Sequence, residues 1–289
     1  MRWENPSTFQ RIRGGLKALL GLNRGGRNFP VFPDDTFLVS YPRSGNTWTR
    51  FLIANLLYPG ESISFSNIEE KIPDPTAVTR RQLARVPRPR LIKSHEYFDP
   101  RYKKVIYIVR DPRDVVVSYY FFQLKKGFIS DGYPMDRYVE RFVSGDVDVY
   151  GSWGENVASW LATRESSADF LLLRYEDMAN HPAGELAKVA TFLGITAPPE
   201  RLAHAAELSS VDRMRRLEKQ DALAWRVTRE TRKDIPFVRT ATVGGWQSAL
   251  SAGQVALIEM RWCQLMKELR YRSISSIMED TAQKEQSLI

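Results

Sequence analysis

Short apolar runs and longer runs with helical spacing alternate along the chain. The short runs predict buried strands over 36–40, 90–94, 105–109 and 169–173. Apolar residues three and four positions apart predict helices over 48–57, 115–124, 156–163, 184–193 and 254–269, and Gly194 is typical of a helix C-cap. Strands that alternate with helices favour a central parallel sheet flanked by helices, so we predict a single α/β domain.

The first predicted strand runs into a short polar loop, Tyr41-Pro42-Arg43-Ser44-Gly45-Asn46, and a helix follows directly. The first N–H groups of a helix have no acceptor within the helix, and the helix dipole adds partial positive charge there. Arg43, Ser44 and Thr47 supply a cation and hydroxyls that suit phosphate oxygens. This unit is a predicted anion site, and an ordinary turn with an exposed arginine is the alternative for the segment taken alone.

A second strand-to-helix junction follows the run at 105–109. Arg110 comes directly after that strand, and Asp111-Pro112 is typical of an N-cap and the first helical residue. Ser118 lies about one and a half turns into the predicted helix, near enough to its start to contact a ligand held there. Ligands of parallel sheets bind beyond the carboxyl ends of the strands. The residues that fall at such ends are Arg43, Lys93, His95, Arg110 and Tyr175.

Composition changes this picture in a few respects. The net charge of +8 and the pI of about 9.5 suit an anionic ligand, and the single cysteine, Cys263, excludes an internal disulfide framework. Cys263 falls in an apolar helical pattern, so we expect a buried thiol. No run of about 18 apolar residues indicates a membrane span, and we expect a cytoplasmic protein with no stable membrane insertion.

We divide the chain into a basic N-terminal arm over 1–33, one domain over 34–272 and a polar C-terminal tail over 273–289. The proline-rich segment 59–89 predicts loops that shape a pocket. The highly charged segment 213–236 predicts a mobile lid outside the core. Several aromatic residues are predicted to be either pocket walls or core: Tyr119, Phe121, Phe122, Phe128 and Tyr133.

Two rival functions are open at this point. A nucleotide kinase or hydrolase needs the pattern G-x-x-x-x-G-K-[ST], and Tyr41 to Trp48 has neither its first glycine nor its Gly-Lys pair. A non-catalytic basic module for nucleic acid or anionic polymers is the other rival, but the candidate residues lie at strand ends rather than along one helix face. The His, Asp and Glu residues show no cluster with the spacing of metal ligands.

Further segments, taken with the two junctions, resemble the sulfotransferase family that uses 3'-phosphoadenosine 5'-phosphosulfate (PAPS). Tyr41 to Trp48 resembles the family's 5'-phosphosulfate loop, usually Y-P-K-S-G-T-T-W, and Lys93-Ser94-His95 resembles the K-T-H that carries the catalytic histidine. The segment over 108–120 resembles the 3'-phosphate segment, with its arginine and serine eight residues apart. Segments 175–178, 209–214 and 237–246 are similar to other nucleotide contacts of the family, and the resemblance extends from about 36 to 269.

The resemblance implies a P-loop-like nucleotide-binding architecture and in-line transfer of a sulfuryl group from PAPS to a hydroxyl or amine of a small-molecule acceptor. It implies His95 as general base, with Arg43 and Lys93 stabilising the charge that develops in the reaction. Neither a metal ion nor nucleic acid is implied, and the oligomeric state stays open. The cofactor contacts that the resemblance implies are Arg43, Ser44, Gly45, Asn46, Thr47, Trp48, Arg110, Ser118, Tyr175, Ser209, Ser210, Val211, Met214, Arg239 and Thr240.

The chain departs from the family's pattern at four positions. Arg43 stands where the family commonly has lysine and exchanges a point charge for a planar fork. Asn46 replaces a threonine, and Thr240 and Ala241 replace the Lys-Gly pair of R-K-G-x-x-G-x-W. Because alanine disfavours positive φ, we expect the backbone contact at Ala241 to be lost, and we retain Arg239 as a 3'-phosphate contact.

Overall fold

Four parallel strands form the central sheet, in the order β2-β1-β3-β4. The structure, a computed structural model, describes residues 23–274. The strands are β1 (Thr36–Ser40), β2 (Leu91–Ser94), β3 (Lys104–Val109) and β4 (Phe170–Arg174). β1 pairs with both β2 and β3, so Leu38 lies between Lys93 and Ile106. The predicted parallel sheet is confirmed, and each strand begins and ends within one residue of its predicted bounds.

Helices connect the strands and follow the last one. Capping residues set where several helices begin: the side chains of Asp111, Ser152 and Ser251 accept backbone N–H groups at the first turns of the helices that start at Pro112, Trp153 and Ala252. The first of these helices begins at the proline predicted as its first residue, and the other two begin two or three residues earlier than predicted. The bounds are α1 (Asn46–Leu57), α2 (Ile68–Lys71), α3 (Arg80–Arg85), α4 (Pro112–Lys126), α5 (Met135–Ser144), α6 (Trp153–Arg164), α7 (Tyr175–Asn180), α8 (Pro182–Leu193), α9 (Pro199–Leu208), α10 (Val211–Asp221), α11 (Arg226–Arg229), a 3-10 turn (Gly245–Ser248) and α12 (Ala252–Glu268).

Hydrophobic side chains cover both faces of the sheet. Phe37 and Val39 of β1 belong to one cluster, together with residues of α4, α5, α6 and α12. Leu38 belongs to the other cluster, together with residues of α1, α8, α9 and α10. Successive side chains of a strand point to opposite faces, so this alternation places a helical layer on each side of the sheet. All five residues of β1 are buried, as expected for a strand covered on both faces.

The prediction of a buried thiol at Cys263 is wrong, because the side chain is exposed. The core-facing stripe of α12 passes through Val255, Ile258, Trp262 and Met266. Cys263 follows Trp262 and is therefore rotated by about 100° around the helix, away from the core. The backbone is also non-helical at Trp262, with φ −127° and ψ 26°.

The prediction that the charged segment 213–236 lies outside the core is wrong. α10 and α11 cover much of it, and Trp225 is only 3% exposed, packed between the rings of Phe65 and Phe237. Glu218 accepts the backbone N–H groups of Phe237 and Val238 at 2.6 and 2.8 Å. The charge composition of the segment does not indicate this anchoring, because the buried residues lie on one side of helices that are otherwise polar.

The described part of the N-terminal arm, residues 23–33, packs on the domain. Phe29 is buried in the first core cluster, and Arg24 forms an isolated antiparallel bridge with Thr79. Residues 1–22 of the arm and most of the polar tail lie outside the described residues. Between residues 23 and 274, none of the helices has the length and apolar content needed to cross a membrane.

Candidate active site

The polar loop after β1 is shaped by two residues with left-handed backbone. Gly45 has φ 96° directly before α1, and Arg43 has φ 68°. A Cβ atom on Gly45 would lie 2.5 Å from Cδ2 of Tyr175, well inside van der Waals contact. Only glycine therefore satisfies both the backbone angle and the close approach of the Tyr175 ring.

Three buried polar atoms in or beside this loop find no hydrogen-bond partner within residues 23–274. Two are donors, Oγ of Ser44, a residue with no exposed surface, and Nε of Arg110, and the third is an acceptor, Oδ1 of Asn46. Buried polar atoms are nearly always hydrogen-bonded, and an unmet one costs about 1–3 kcal/mol. Together with the N-terminus of α1, the two donors fit the oxygens of an anionic ligand such as a phosphate.

Arg43 is held between two aromatic rings. Its guanidinium carbon lies 4.8 Å from the ring centre of Phe122 and 4.6 Å from that of Phe237. Nε donates to Oγ of Ser118 at 3.2 Å, and Nη2 donates to the carbonyl of Phe237 at 3.3 Å. Burial, together with the nearby charges of Arg110 and Arg239, lowers the pKa of Arg43 to about 10, so the side chain is still a cation at neutral pH. Arg43, from the first strand-to-helix junction, thus contacts Ser118 from the second junction.

Arg110 joins three parts of the site. Nη1 donates to the carbonyl of Arg43 at 3.3 Å, and Nη2 donates to the carbonyl of Thr242 at 3.1 Å. Its guanidinium lies over the Tyr175 ring, 4.2 Å from the ring centre. The Asp114 carboxylate lies 3.9 Å away and keeps this buried cation compensated. Arg110 therefore connects the first junction, the second junction and the C-terminal segment 239–246.

Lys93 and His95 lie beside this group at the end of β2. Nζ of Lys93 donates to Oδ2 of Asp74 at 2.5 Å. Nδ1 of His95 lies 2.7 Å from the carbonyl oxygen of Ser40 and must donate to it, because a carbonyl oxygen only accepts. This hydrogen bond fixes the neutral tautomer in which Nε2 carries a free lone pair.

Burial, together with the Lys93 ammonium, lowers the pKa of His95 to about 3. An unperturbed imidazole titrates near neutral pH, and the pKa of His95 lies lower because the ring is enclosed beside a cation. At neutral pH the ring is therefore uncharged. An uncharged imidazole with a free Nε2 lone pair is able to accept a proton.

A cavity of about 360 Å³ brings most of the predicted residues together. Ser44 is buried beneath the loop, and Ser209 and Ser210 are absent from the described cavity wall. The predicted residues that line the cavity are Arg43, Gly45, Asn46, Thr47, Trp48, Lys93, His95, Arg110, Ser118, Tyr175, Val211, Met214, Arg239 and Thr240.

Two predicted cofactor contacts have side chains engaged in the scaffold. Oγ of Ser209 donates to the carbonyl of Ala205 and accepts from Nδ2 of Asn55, while its carbonyl accepts the indole N–H of Trp48 at 2.8 Å. Nδ2 of Asn46 donates to the carbonyl of Leu38 and to Oγ of Ser40. Ser209 therefore positions Trp48, and Asn46 braces the end of β1.

The expectation at Ala241 is wrong in one respect, because this alanine does adopt a left-handed backbone, with φ 54°. The hydroxyl of Tyr175 donates to the Ala241 carbonyl at 3.4 Å, and Arg110 donates to the next carbonyl, that of Thr242. These contacts offset a left-handed cost of about 1–2 kcal/mol for a residue with a Cβ atom. Segment 239–246 therefore forms its turn with an alanine at position 241.

The sequence did not single out three residues that line the cavity, Asp74, Phe237 and Tyr150, although the first two lie in the predicted segments 59–89 and 237–246. Tyr150 packs edge-on against His95 with ring centres 5.6 Å apart. Of the five aromatic candidates, Tyr119 and Phe122 line the cavity, whereas Phe128 is 71% exposed. No signal in the sequence marks Asp74, which is 19 residues from its partner Lys93.

Within the described part of the chain, His, Cys, Asp and Glu form no group of three or more that could hold a metal ion. Arginine and lysine dominate the cavity instead, through Arg43, Lys93, Arg110 and Arg239. Such a set of donors suits an anionic ligand with several charged oxygens.

Comparison with known proteins agrees with this geometry. Residues 33–270 match the family model of the sulfotransferase domain. The chain belongs to the sulfotransferase family. Sulfotransferase 2A1 of Rattus norvegicus is 32% identical over 237 residues, covering 78% of this chain and 82% of the relative. The predicted family, PAPS-dependent sulfotransferases, and the predicted enzyme class are thereby confirmed.

Solved structures of sulfotransferases share the fold. Mouse sulfotransferase SULT7A1 complexed with PAP matches with a TM-score of 0.65 and 24% identity, over 89% of this chain and 91% of that one. Retinol dehydratase in complex with androsterone and the inactive cofactor PAP matches with a TM-score of 0.67 and 21% identity, over 86% and 85%. The predicted α/β fold is confirmed.

Proposed function

We propose that this sulfotransferase moves the sulfuryl group of PAPS to a hydroxyl or amine of a small molecule, with His95 as the general base. The observation that carries the proposal is the convergence of Arg43, Lys93 and Arg110 with a neutral His95 around one cavity. Three cations suit a donor with separated phosphate-type groups, and the imidazole suits an acceptor that must lose a proton.

The residues present fit PAPS, which supplies the activated sulfuryl group when bound. The loop before α1, with Ser44, Thr47 and the first N–H groups of the helix, would hold the 5'-phosphosulfate. Arg110 with Ser118 and Arg239 would hold the 3'-phosphate. Trp48 and Tyr175, whose rings meet edge-on 5.6 Å apart, would contact the adenine. The orphaned Oγ of Ser44 and Nε of Arg110 support this placement, since both atoms need a partner.

The chain's own residues contribute in three ways. The Ser40 carbonyl holds Nδ1–H of His95, so Nε2 receives the acceptor's proton. Lys93 and Arg43 stabilise the negative charge that grows on the leaving oxygen and on the sulfuryl oxygens. The aromatic rings of Phe122 and Phe237 keep the Arg43 guanidinium in place and exclude water from it.

The acceptor is proposed to be a small molecule bound next to His95. Tyr150 packs edge-on against His95, and Phe122 and Phe237 also line the cavity, so its aromatic surface suits an acceptor with an apolar body. The steroid in the retinol dehydratase structure is a ligand of that protein, and it supports an acceptor of this size for a related cavity. The proposal includes a cytoplasmic location, and it needs neither a metal ion nor nucleic acid.

A labelled-donor screen tests this function. The protein is incubated with sulfur-35-labelled PAPS and a panel of phenols, steroids, sugars and amines, and labelled products are separated by chromatography. We expect label on at least one hydroxyl or amine, and loss of that label in the His95→Ala variant. Labelling by the γ-phosphate of ATP, with none from PAPS, would contradict the proposal.

A further inference from the structure

Asp74, a carboxylate that the proposed reaction does not use, lines the cavity. Oδ2 of Asp74 accepts a hydrogen bond from Nζ of Lys93 at 2.5 Å, and both side chains are about 12% exposed. We propose that Asp74 is a positioning residue that fixes the Lys93 ammonium and offsets the positive charge that forms on His95. This inference rests on the proposed function, because it concerns the same reaction.

Asp74 is itself held rigidly. Its Oδ1 accepts the backbone N–H and the hydroxyl of Thr76 at 2.8 and 2.7 Å. Its own N–H donates to Glu69 at 2.7 Å, and Glu69 pairs with the buried Arg50 at 2.9 Å. The backbone also docks on β2, because the carbonyl of Pro73 accepts the N–H of Lys93 at 2.9 Å. A carboxylate with this support is preorganised and is not a chance surface contact.

The network connects the two catalytic parts of the site. Arg50 belongs to α1, the helix that begins at the phosphosulfate loop, and its Nε donates to the carbonyl of Ile72 at 3.0 Å. Asp74 and Lys93 then carry the chain of contacts to the end of β2. An ammonium group has three N–H donors, and Asp74 occupies one of them. Lys93 therefore keeps donors for the leaving oxygen while Asp74 sets the direction of its side chain.

The charges around His95 explain the second role proposed for Asp74, which is to offset the positive charge that forms on His95. The charged or titratable groups that face the imidazole among the described residues are Lys93 from β2, Asp74 from the loop before α3, Arg50 from α1 and Tyr150 from the loop before α6. The two cations lower the pKa of His95, and Asp74 raises it. Asp74 is thus the nearby anion that opposes the two cations.

Asp74 would act in the step that transfers the sulfuryl group to the acceptor. The acceptor O–H or N–H bond breaks, its electron pair forms the new bond to sulfur, and the proton passes to Nε2 of His95. The bond from sulfur to the bridging phosphate oxygen breaks, and its electron pair stays on the product, 3'-phosphoadenosine 5'-phosphate. Imidazolium then lies beside the Lys93 ammonium, and a carboxylate at Asp74 lowers the cost of two adjacent cations.

The test is the pH dependence of kcat for Asp74→Asn, measured with labelled PAPS and saturating acceptor. Asparagine keeps the shape and the Thr76 contact and removes the charge. Because Asp74 raises the pKa of His95, its neutralisation should move the acidic limb of kcat to lower pH by on the order of one unit. A base of lower pKa is weaker, and Lys93 also loses the carboxylate that fixes its direction, so kcat should fall by about 10- to 100-fold while the affinity for 3'-phosphoadenosine 5'-phosphate changes by less than about 3-fold.

Three variants separate charge from shape. Asp74→Glu restores the charge and should recover part of kcat with the wild-type position of the acidic limb. Lys93→Met removes the cation that lowers the pKa of His95, so its limb should move in the opposite direction, to higher pH. Glu69→Gln removes a carboxylate from the same network without touching Lys93, and should lower the melting temperature without moving the limb.

An acidic limb that stays in place in Asp74→Asn, or equal losses of kcat in Asp74→Asn and Asp74→Glu, would overturn the inference. Failure of the wild-type protein to transfer label would instead count against the proposed function. A second readout does not depend on activity: the His95 ring titrates in proton NMR of the donor-free protein, and its pKa should be lower in Asp74→Asn than in the wild type. Identical titrations would also contradict the role of Asp74.

Discussion

Replacing Gly45 with alanine tests how the polar loop before α1 is built. The change adds a Cβ atom to a residue with φ 96°, which costs about 1–2 kcal/mol for left-handed backbone. The same atom would lie 2.5 Å from Cδ2 of Tyr175, whereas carbon atoms prefer a separation of about 3.5–4.0 Å. The Tyr175 ring must therefore move by roughly 1 Å, away from its contact with Arg110.

The expected loss of stability has two parts, the strain of the left-handed backbone and the lost contact between Tyr175 and Arg110. The Arg110 guanidinium lies 4.2 Å from the centre of the Tyr175 ring, and a desolvated contact of this kind contributes about 1–2 kcal/mol. Added to the backbone cost, Gly45→Ala should lower the free energy of unfolding by about 2–4 kcal/mol. For a domain of this size we expect the melting temperature to fall by about 5–10 °C.

Gly60→Ala is the matched control. Gly60 has φ 90°, but a Cβ atom there would meet nothing within 4 Å. Its melting temperature should fall by only about 2–5 °C, since the backbone strain is present without the clash. Thermal unfolding followed by circular dichroism gives both values, and calorimetry should show weaker binding of 3'-phosphoadenosine 5'-phosphate, by about 10-fold, in Gly45→Ala alone. Equal melting temperatures in the two variants, with equal affinity, would refute the reasoning.

Three further predictions concern single side chains. His95→Ala should lower kcat by at least about 100-fold with little change in donor-product affinity, while His204→Ala, at an exposed residue, should behave as the wild type in the same kinetic assay. Arg110→Ala should weaken binding of 3'-phosphoadenosine 5'-phosphate by about 10- to 100-fold and of adenosine 5'-monophosphate by less than about 3-fold, as measured by calorimetry; equal losses would contradict its assignment. Asp114→Asn should lower the unfolding free energy by about 1–2 kcal/mol in chemical denaturation, because the carboxylate accepts N–H groups of Gly244 and Trp246 at 2.8 and 3.0 Å; an unchanged value would contradict this role.

Local patterns were enough to predict the sheet and the positions of the two strand-to-helix junctions. The strand at 105–109 is apolar throughout, and Asp111-Pro112 marks the start of α4, so Arg110 had to lie between them. The carboxyl ends of parallel strands lie at one edge of a sheet. The sequence alone therefore places Arg43, Lys93 and Arg110 close together.

Features that depend on long-range packing could not be predicted from the sequence. The pairing of Asp74 with Lys93 and the enclosure of His95 arise when the loop before α3 docks on β2, and both decide charge states in the site. Trp225 lies among charged residues along the chain, yet it is buried because the aromatic rings of distant segments surround it. Tertiary packing overrides composition in such cases.

The central claim is that the cavity is built for PAPS. Isothermal titration calorimetry with 3'-phosphoadenosine 5'-phosphate, compared with ATP plus magnesium and with a short oligonucleotide, tests it directly. The two anion sites at the ends of β1 and β3 predict binding of the bisphosphate, with ATP and the oligonucleotide at least about 10-fold weaker. Binding of ATP with magnesium, or of the oligonucleotide, in the absence of bisphosphate binding would contradict the account.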